Sequence, residues 1–229
     1  MAKEKCLVNL TLQFKFNVIL SFIRIVALNY LAHAYLSFNH PEILVGNMIS
    51  DFVKGKKKFD YPPDIQKGIV LHRAIDQFTD LHPATKEAKE FFRPHYRLYA
   101  GAFIDVVYDH FLAADETEFS EEALLIFSQE VYLVLDQNKN WFPEKFAVMF
   151  PYMKKQNWLF HYRTVIGAEK SFGGLVRRAV YINECEPASR ILKKHYQLLS
   201  ACYRQFWADV KPFAEKKIRQ LMNTGDNTV

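Results

Sequence analysis

The sequence predicts an all-α protein built as a single compact helical domain, and three observations carry the prediction. Apolar residues recur at three- and four-residue steps along most of the chain, the period of one buried helix face. Turn-forming residues are scarce, with 8 Gly and 9 Pro in 229 residues, whereas a β-rich chain needs a tight turn about every ten residues. Half of the residues are apolar, 20 Phe and 12 Tyr among them, which fills a large core and excludes general disorder. No internal repeat or low-complexity linker divides the chain, so one domain is expected.

Residues 1–28 stand apart from this pattern. The apolar run 6–28 follows two lysines and superficially resembles a secretion signal, but Lys15 and Arg24 interrupt it and no small-residue cleavage site follows. A membrane-spanning helix needs about 20 nearly uninterrupted apolar residues, so no stable membrane insertion is expected. We expect an extension that is not native, arising from an upstream start codon with Leu28 near the true beginning. The alternative is a basic amphipathic helix packed on the body.

From Asn29 onward, Tyr30, Leu31, Ala34, Tyr35 and Phe38 share one helical face. Asn39-His40-Pro41 breaks it, and a second helix is expected over 41–53, with proline in its first turn. Lys54, Lys56, Lys57 and Lys58 around Gly55 form a cationic loop. A third helix starts at Pro62-Pro63-Asp64 and carries Ile65, Ile69, His72, Ile75, Asp76 and Phe78 to Leu81-His82-Pro83. A fourth follows over 83–96 and a fifth over 98–113. Further helical blocks are expected over 120–135, 143–154, 157–166, 174–183 and 189–222, with a turn at Ser171-Phe172-Gly173-Gly174 and a flexible tail over 223–229.

Cys6, Cys185 and Cys202 are odd in number and lack any CxxC spacing. A disulfide framework is not expected, and a reducing cytoplasm suits them. The net charge of +5 is compatible with nucleic acid, a membrane surface or an acidic protein, and by itself selects none.

The informative polar residues lie inside apolar helices. Asn47 and Asp51 are four apart and project from one face, as do His72 and Asp76, and Asp105 and Asp109 with His110 at the flank. His33 on the first helix can reach the same centre. Carboxylates and imidazoles at such spacing on several helices can converge on a metal in a bundle core. A mixed oxygen and nitrogen shell suits Mn²⁺ or Fe²⁺; zinc is compatible and calcium less natural. Arg73 has the fork geometry to hold phosphate oxygens. Bland readings stand beside these: Asp76 paired with Arg73, Asp105 and Asp109 on a solvated face, and His40 and His82 as turn or capping residues.

Asn29-Tyr30-Leu31-Ala32-His33, the block from Gly46-Asn47 through Asp51-Phe52-Val53-Lys54-Gly55, the segment Leu71-His72-Arg73-Ala74-Ile75-Asp76 and the segment Asp105-Val106-Val107-Tyr108-Asp109-His110 occur in that order. Together they resemble the acyl carrier protein phosphodiesterases, over about 29–213. The resemblance implies an HD-domain-like helical bundle, dependence on Mn²⁺, and hydrolysis of the phosphodiester that joins 4′-phosphopantetheine to a serine of acyl carrier protein. Carried over by motif, it implies Asp51, His72, Arg73, Asp76, Asp109 and His110 as catalytic. His33, Asp51, His72, Asp76, Asp105 and Asp109 are implied as the metal shell. Asn47 and the lysines 54, 56, 57 and 58 would bind the substrate, with the lysines steering the acidic carrier protein; no nucleic acid partner is expected. The contiguous His-Asp pair that names the wider superfamily is missing here, so the resemblance does not distribute individual ligand roles. A helical phosphohydrolase for nucleotides or other small phosphodiesters, and a non-catalytic helical binding protein, remain as alternatives.

Overall fold

Pro41, Pro63 and Pro83 each sit in the first turn of a helix, where the ring already holds a helical φ and the missing N–H leaves no bond unmade. They open α2 (Pro41–Ile49), α3 (Pro63–Leu81) and α4 (Pro83–Tyr96). The computed structural model describes residues 29–223; the expectations for 1–28 and for the tail beyond 223 lie outside the described residues. Before α2 runs the short α1 (Tyr30–Tyr35), and after α4 the apolar α5 (Ala100–Ala114). The second half adds α6 (Glu121–Gln137), α7 (Glu144–Lys155), α8 (Trp158–His161), α9 (Val165–Arg178), α10 (Glu186–Lys194) and α11 (Tyr196–Asn223). Among the described residues there is no strand, and the fold is all-α.

Helix starts are marked locally. Ser120 Oγ accepts from Ala123 N at 3.1 Å to cap α6, and Thr164 Oγ1 accepts from Gly167 N at 3.0 Å to cap α9. His82 caps α4 through Nδ1, which accepts from Ala84 N. The core is continuous and aromatic: Phe103 of α5 lies 5.9 Å from Phe92 of α4 and 5.4 Å from Phe172 of α9 between ring centroids. Tyr108 of α5 stacks on Phe206 of α11 at 4.8 Å.

Several stretches differ from the sequence expectation: the helix expected over 41–53 gives way after Ile49 to the 3₁₀ turn Ser50–Phe52, and that expected over 157–166 breaks after His161 and restarts at Val165. Ser171-Phe172-Gly173-Gly174 is not a turn: α9 runs through it, because Ala168, Phe172 and Leu175 are fully buried on one face and this packing outweighs the low helix propensity of glycine. The helix expected over 174–183 therefore ends at Arg178, and 179–185 is irregular. The long final helix is divided at His195, which leaves helical geometry at φ −111° and ψ 22° between α10 and α11.

The contact that matters most for the site is between α2 and α3. At Gly46 an added Cβ would stand 2.0 Å from Ile65 O, and at Gly68 one would stand 2.2 Å from Ile43 O. The two helices thus meet backbone to backbone, and only glycine fits on both sides of the crossing. This approach sets Asn47 on α2, and Asp51 on the 3₁₀ turn Ser50–Phe52 that follows it, near His72 and Asp76 on α3.

Candidate metal centre

The site starts from α1, whose first turn is held by a carboxylate from a distant helix. Asp109 of α5 is fully buried, and its two oxygens accept from Leu31 N at 3.0 Å and Ala32 N at 2.9 Å. These are two of the backbone donors that a helix start leaves without partners. So anchored, α1 presents His33 to the α2–α3 crossing.

The orientation of His33 is fixed by Asn47. The Asn47 Nδ2 donates to His33 O at 2.8 Å and to Ser37 Oγ at 3.1 Å, while Ser37 Oγ donates its only proton to His33 O at 2.8 Å. Flipping the amide would set two acceptor oxygens against each other, so Oδ1 must face the ring. It lies 2.7 Å from His33 Nδ1, which therefore carries the proton. The lone pair of His33 is left on Nε2, a buried atom with no hydrogen-bond partner, 3.3 Å from Asp76 Oδ1. A nitrogen lone pair facing a carboxylate at that distance is repulsive unless a positive centre lies near both.

His72 stacks on His33 with ring centroids 3.9 Å apart. Its Nε2 is 3.3 Å from Asp51 Oδ1 and 3.3 Å from Asp76 Oδ2. The i, i+4 spacing of His72 and Asp76 on α3 aligns these two side chains. His33, His72 and Asp76 each offer a ligand atom, all within 4.8 Å of one another. Exposure is one-sided: the His33 side chain is 2% exposed, Asp51 14% and Asp76 26%, so the cluster is reached from its carboxylate edge. Burial lowers the His33 pKa, and the neighbouring His72 lowers it further. Burial opposes protonation of His72 too, but Asp76 and Asp51 outweigh it and raise that imidazole to about 10. The carboxylates call for positive charge at this point. An imidazole lone pair with a fixed tautomer, a second imidazole and two carboxylates form a donor set that fits a divalent transition metal.

The remaining sequence candidates are placed as follows. Arg73 on α3 donates from Nη2 to Val53 O at 2.9 Å and braces the chain just after Asp51; it is not paired with Asp76. Asp105 on α5 is half-buried, and burial, then the nearby Asp76 charge, pushes its carboxyl pKa well above the ordinary range. Asp109 is occupied as the anchor of α1, with burial pushing its pKa up to about 8 against the pull of the two amides. His110 is turned to other neighbours, its Nδ1 donating to Tyr162 O at 2.7 Å and its Nε2 accepting from Tyr196 Oη at 3.0 Å. Lys54, Lys56 and Lys57 are exposed and Lys58 is half-buried on the short 3₁₀ turn Gly55–Asp60. Sequence spacing did not disclose that Asn47 sets the tautomer of His33; the signal was an amide buried among aliphatic residues, which must have partners.

Fold and site together define an all-helical protein with a buried histidine–carboxylate centre suited to a divalent cation. Comparison with known proteins places it further. The family model for acyl carrier protein phosphodiesterase matches residues 28–210. A relative from Enterobacter sp. (strain 638), named acyl carrier protein phosphodiesterase, is 32% identical over 195 residues, covering 83% of this chain and 99% of its own. Relatives of the same name from Klebsiella pneumoniae (strain 342), 30% identical with the same coverage, and Photorhabdus laumondii, 29% identical over 83% of this chain and 96% of its own, agree. The chain belongs to the acyl carrier protein phosphodiesterase family. No solved structure gives a significant match. No helix among the described residues is long and apolar enough to cross a membrane.

Proposed function

We propose that this chain hydrolyses the phosphodiester between 4′-phosphopantetheine and a serine of acyl carrier protein. Water adds to phosphorus, the bond to the serine oxygen breaks, and the products are apo carrier protein and free 4′-phosphopantetheine. Family membership supports the substrate. The single observation that carries the chemistry is the buried, proton-free Nε2 of His33 aimed at Asp76 beside His72 and Asp51.

We assign His33, Asp51, His72 and Asp76 as the residues that would hold a divalent metal, and Mn²⁺ as the ion this mixed donor set favours. Such a cation supplies charge for a phosphoryl oxygen and acidifies bound water. The chain's own groups do the rest. Arg73, already tied to Val53 O, keeps guanidinium N–H groups for a phosphoryl oxygen. Asp105, whose carboxyl pKa burial and the Asp76 charge raise above the ordinary range, is the acid we assign to the departing serine oxygen. Lys54, Lys56 and Lys57, exposed directly after the Asp51 segment, steer the acidic carrier toward the cluster, acting on encounter more than on final affinity. We place this activity in residues 29–222.

The test incubates holo carrier protein with the full chain and Mn²⁺ and follows carrier mass. The expected result is loss of one 4′-phosphopantetheinyl group, abolished by chelation and by Asp76→Ala, with circular dichroism of the variant unchanged. Carrier cleavage that survives both treatments would overturn the assignment; cleavage of a nucleotide panel with holo carrier untouched would overturn the substrate.

A further inference from the structure

A cavity of about 460 Å³ opens between α5, α8 and α9, and its lining includes none of the residues of the histidine–carboxylate cluster. Its size is that of a small-molecule site. Val106, Trp158 and Tyr162 supply an apolar and aromatic wall, and Lys170, Arg177 and Arg178 of α9 supply a cationic one.

The cationic wall is arranged by sequence spacing. Positions 170, 173, 174, 177 and 178 fall on a single face of α9. The two bare glycines at 173 and 174 let the arginines four residues later lie back along the helix. The Arg178 Nη1 and Arg177 Nη2 come within 3.6 and 3.8 Å of the point where a Gly174 side chain would begin. The guanidinium groups are therefore side by side. Neither they nor Lys170 have an ion-pair partner among the described residues. Glu169, the only acid in the α9 sequence, is taken by Lys193 of α10 at 2.7 Å. Cations gathered on one cavity wall with no acid to offset them raise the local concentration of anions there. Planar forks of this kind match the oxygens of a phosphate bidentately.

We infer that this cavity is a metal-independent binding site for a small organic phosphate, its phosphate held by Lys170, Arg177 and Arg178 and its organic body resting on Trp158 and Tyr162. The inference stands apart from the proposed hydrolysis, because it involves no residue of the metal cluster.

Isothermal titration of the full chain in EDTA with phenyl phosphate and with 4′-phosphopantetheine tests it. We expect saturable one-to-one binding of at least one probe, accompanied by a change in Trp158 fluorescence that Trp158→Phe removes. The double variant Lys170→Ala/Arg177→Ala, altered only at exposed side chains, should bind about tenfold or more weakly, and Arg178→Gln should weaken binding independently. Asp76→Ala should bind as the parent does. No saturation by either probe at millimolar concentration, undiminished binding by the α9 variants, or loss of binding in Asp76→Ala would each overturn the inference, the last by moving the phosphate to the metal cluster.

Discussion

Replacing Gly68 by alanine separates local propensity from the packing that builds the site. In an isolated helix the change is favourable by about 1 kcal/mol. In this protein the new Cβ would stand 2.2 Å from Ile43 O and 2.9 Å from Asn47 N, against an ordinary contact distance of 3.4 Å or more. Both obstacles are backbone atoms of α2, so no side chain can swing aside, and α2 must part from α3 by about 1 Å at a cost of roughly 1–3 kcal/mol, which exceeds the propensity gain. The same displacement falls on the site: Asn47 and Asp51 travel with α2, whereas His72 and Asp76 stay with α3, and the 3.3 Å approach of His72 Nε2 to Asp51 is lost. A misplacement of about 1 Å among reacting groups lowers turnover by about 100-fold. Urea denaturation, Mn²⁺ titration and carrier-protein turnover should all worsen together in Gly68→Ala. A variant with a raised denaturation midpoint and parental turnover would refute the claim that backbone contact at this crossing positions the cluster.

Asn47→Ala should leave the His33 ring without its tautomer-fixing acceptor and weaken metal binding by about 10–100-fold, measured by competition with a chelating dye. Asp109→Asn offers one acceptor oxygen where Leu31 N and Ala32 N use two; it should destabilise the fold by about 1–3 kcal/mol in urea unfolding while metal stoichiometry stays at the parental value. Glu118 accepts from Lys211, Tyr35 and Trp207, and although burial opposes it, these bonds hold its pKa below the usual carboxylate range. Because the folded pKa is the lower one, the stabilisation is present above the unfolded pKa and is lost as pH falls through the folded value; thermal melts below pH 5 should therefore depend less steeply on pH in Glu118→Gln.

Much of the helical layout was legible because its signals are local. Prolines at first turns, the three- and four-residue apolar steps, and the i, i+4 pairing of His72 with Asp76 need no knowledge of the rest of the chain. The same locality explains what was not legible. Spacing alone gave Asp105 and Asp109 equal claims, and nothing within their own helix distinguishes them. Asp109 is drawn to the start of α1, 77 residues away from Ala32, while Asp105 remains half-buried beside Asp76. His110 is settled by Tyr162 and Tyr196, partners 52 and 86 residues distant. The Gly173-Gly174 step read as a turn because glycine is usually punctuation. Here the buried face of Ala168, Phe172 and Leu175 decided otherwise.

A common logic links these long-range partners to the site itself. A buried polar group must find partners, and in this fold the partner usually comes from another element. Asp109 gives both its oxygens to amides of α1 and so holds that helix in place. Asn47 spends its amide on His33 and Ser37 and so fixes a tautomer. At His33 Nε2 the near groups are the Asp76 carboxylate at 3.3 Å, which donates nothing, and the His72 ring stacked face to face, and no hydrogen bond reaches the lone pair there from the described residues. A fold that satisfies Asp109 and Asn47 across helices, yet turns this nitrogen toward Asp76 beside His72, has built a place for a cation rather than left a bond unmade.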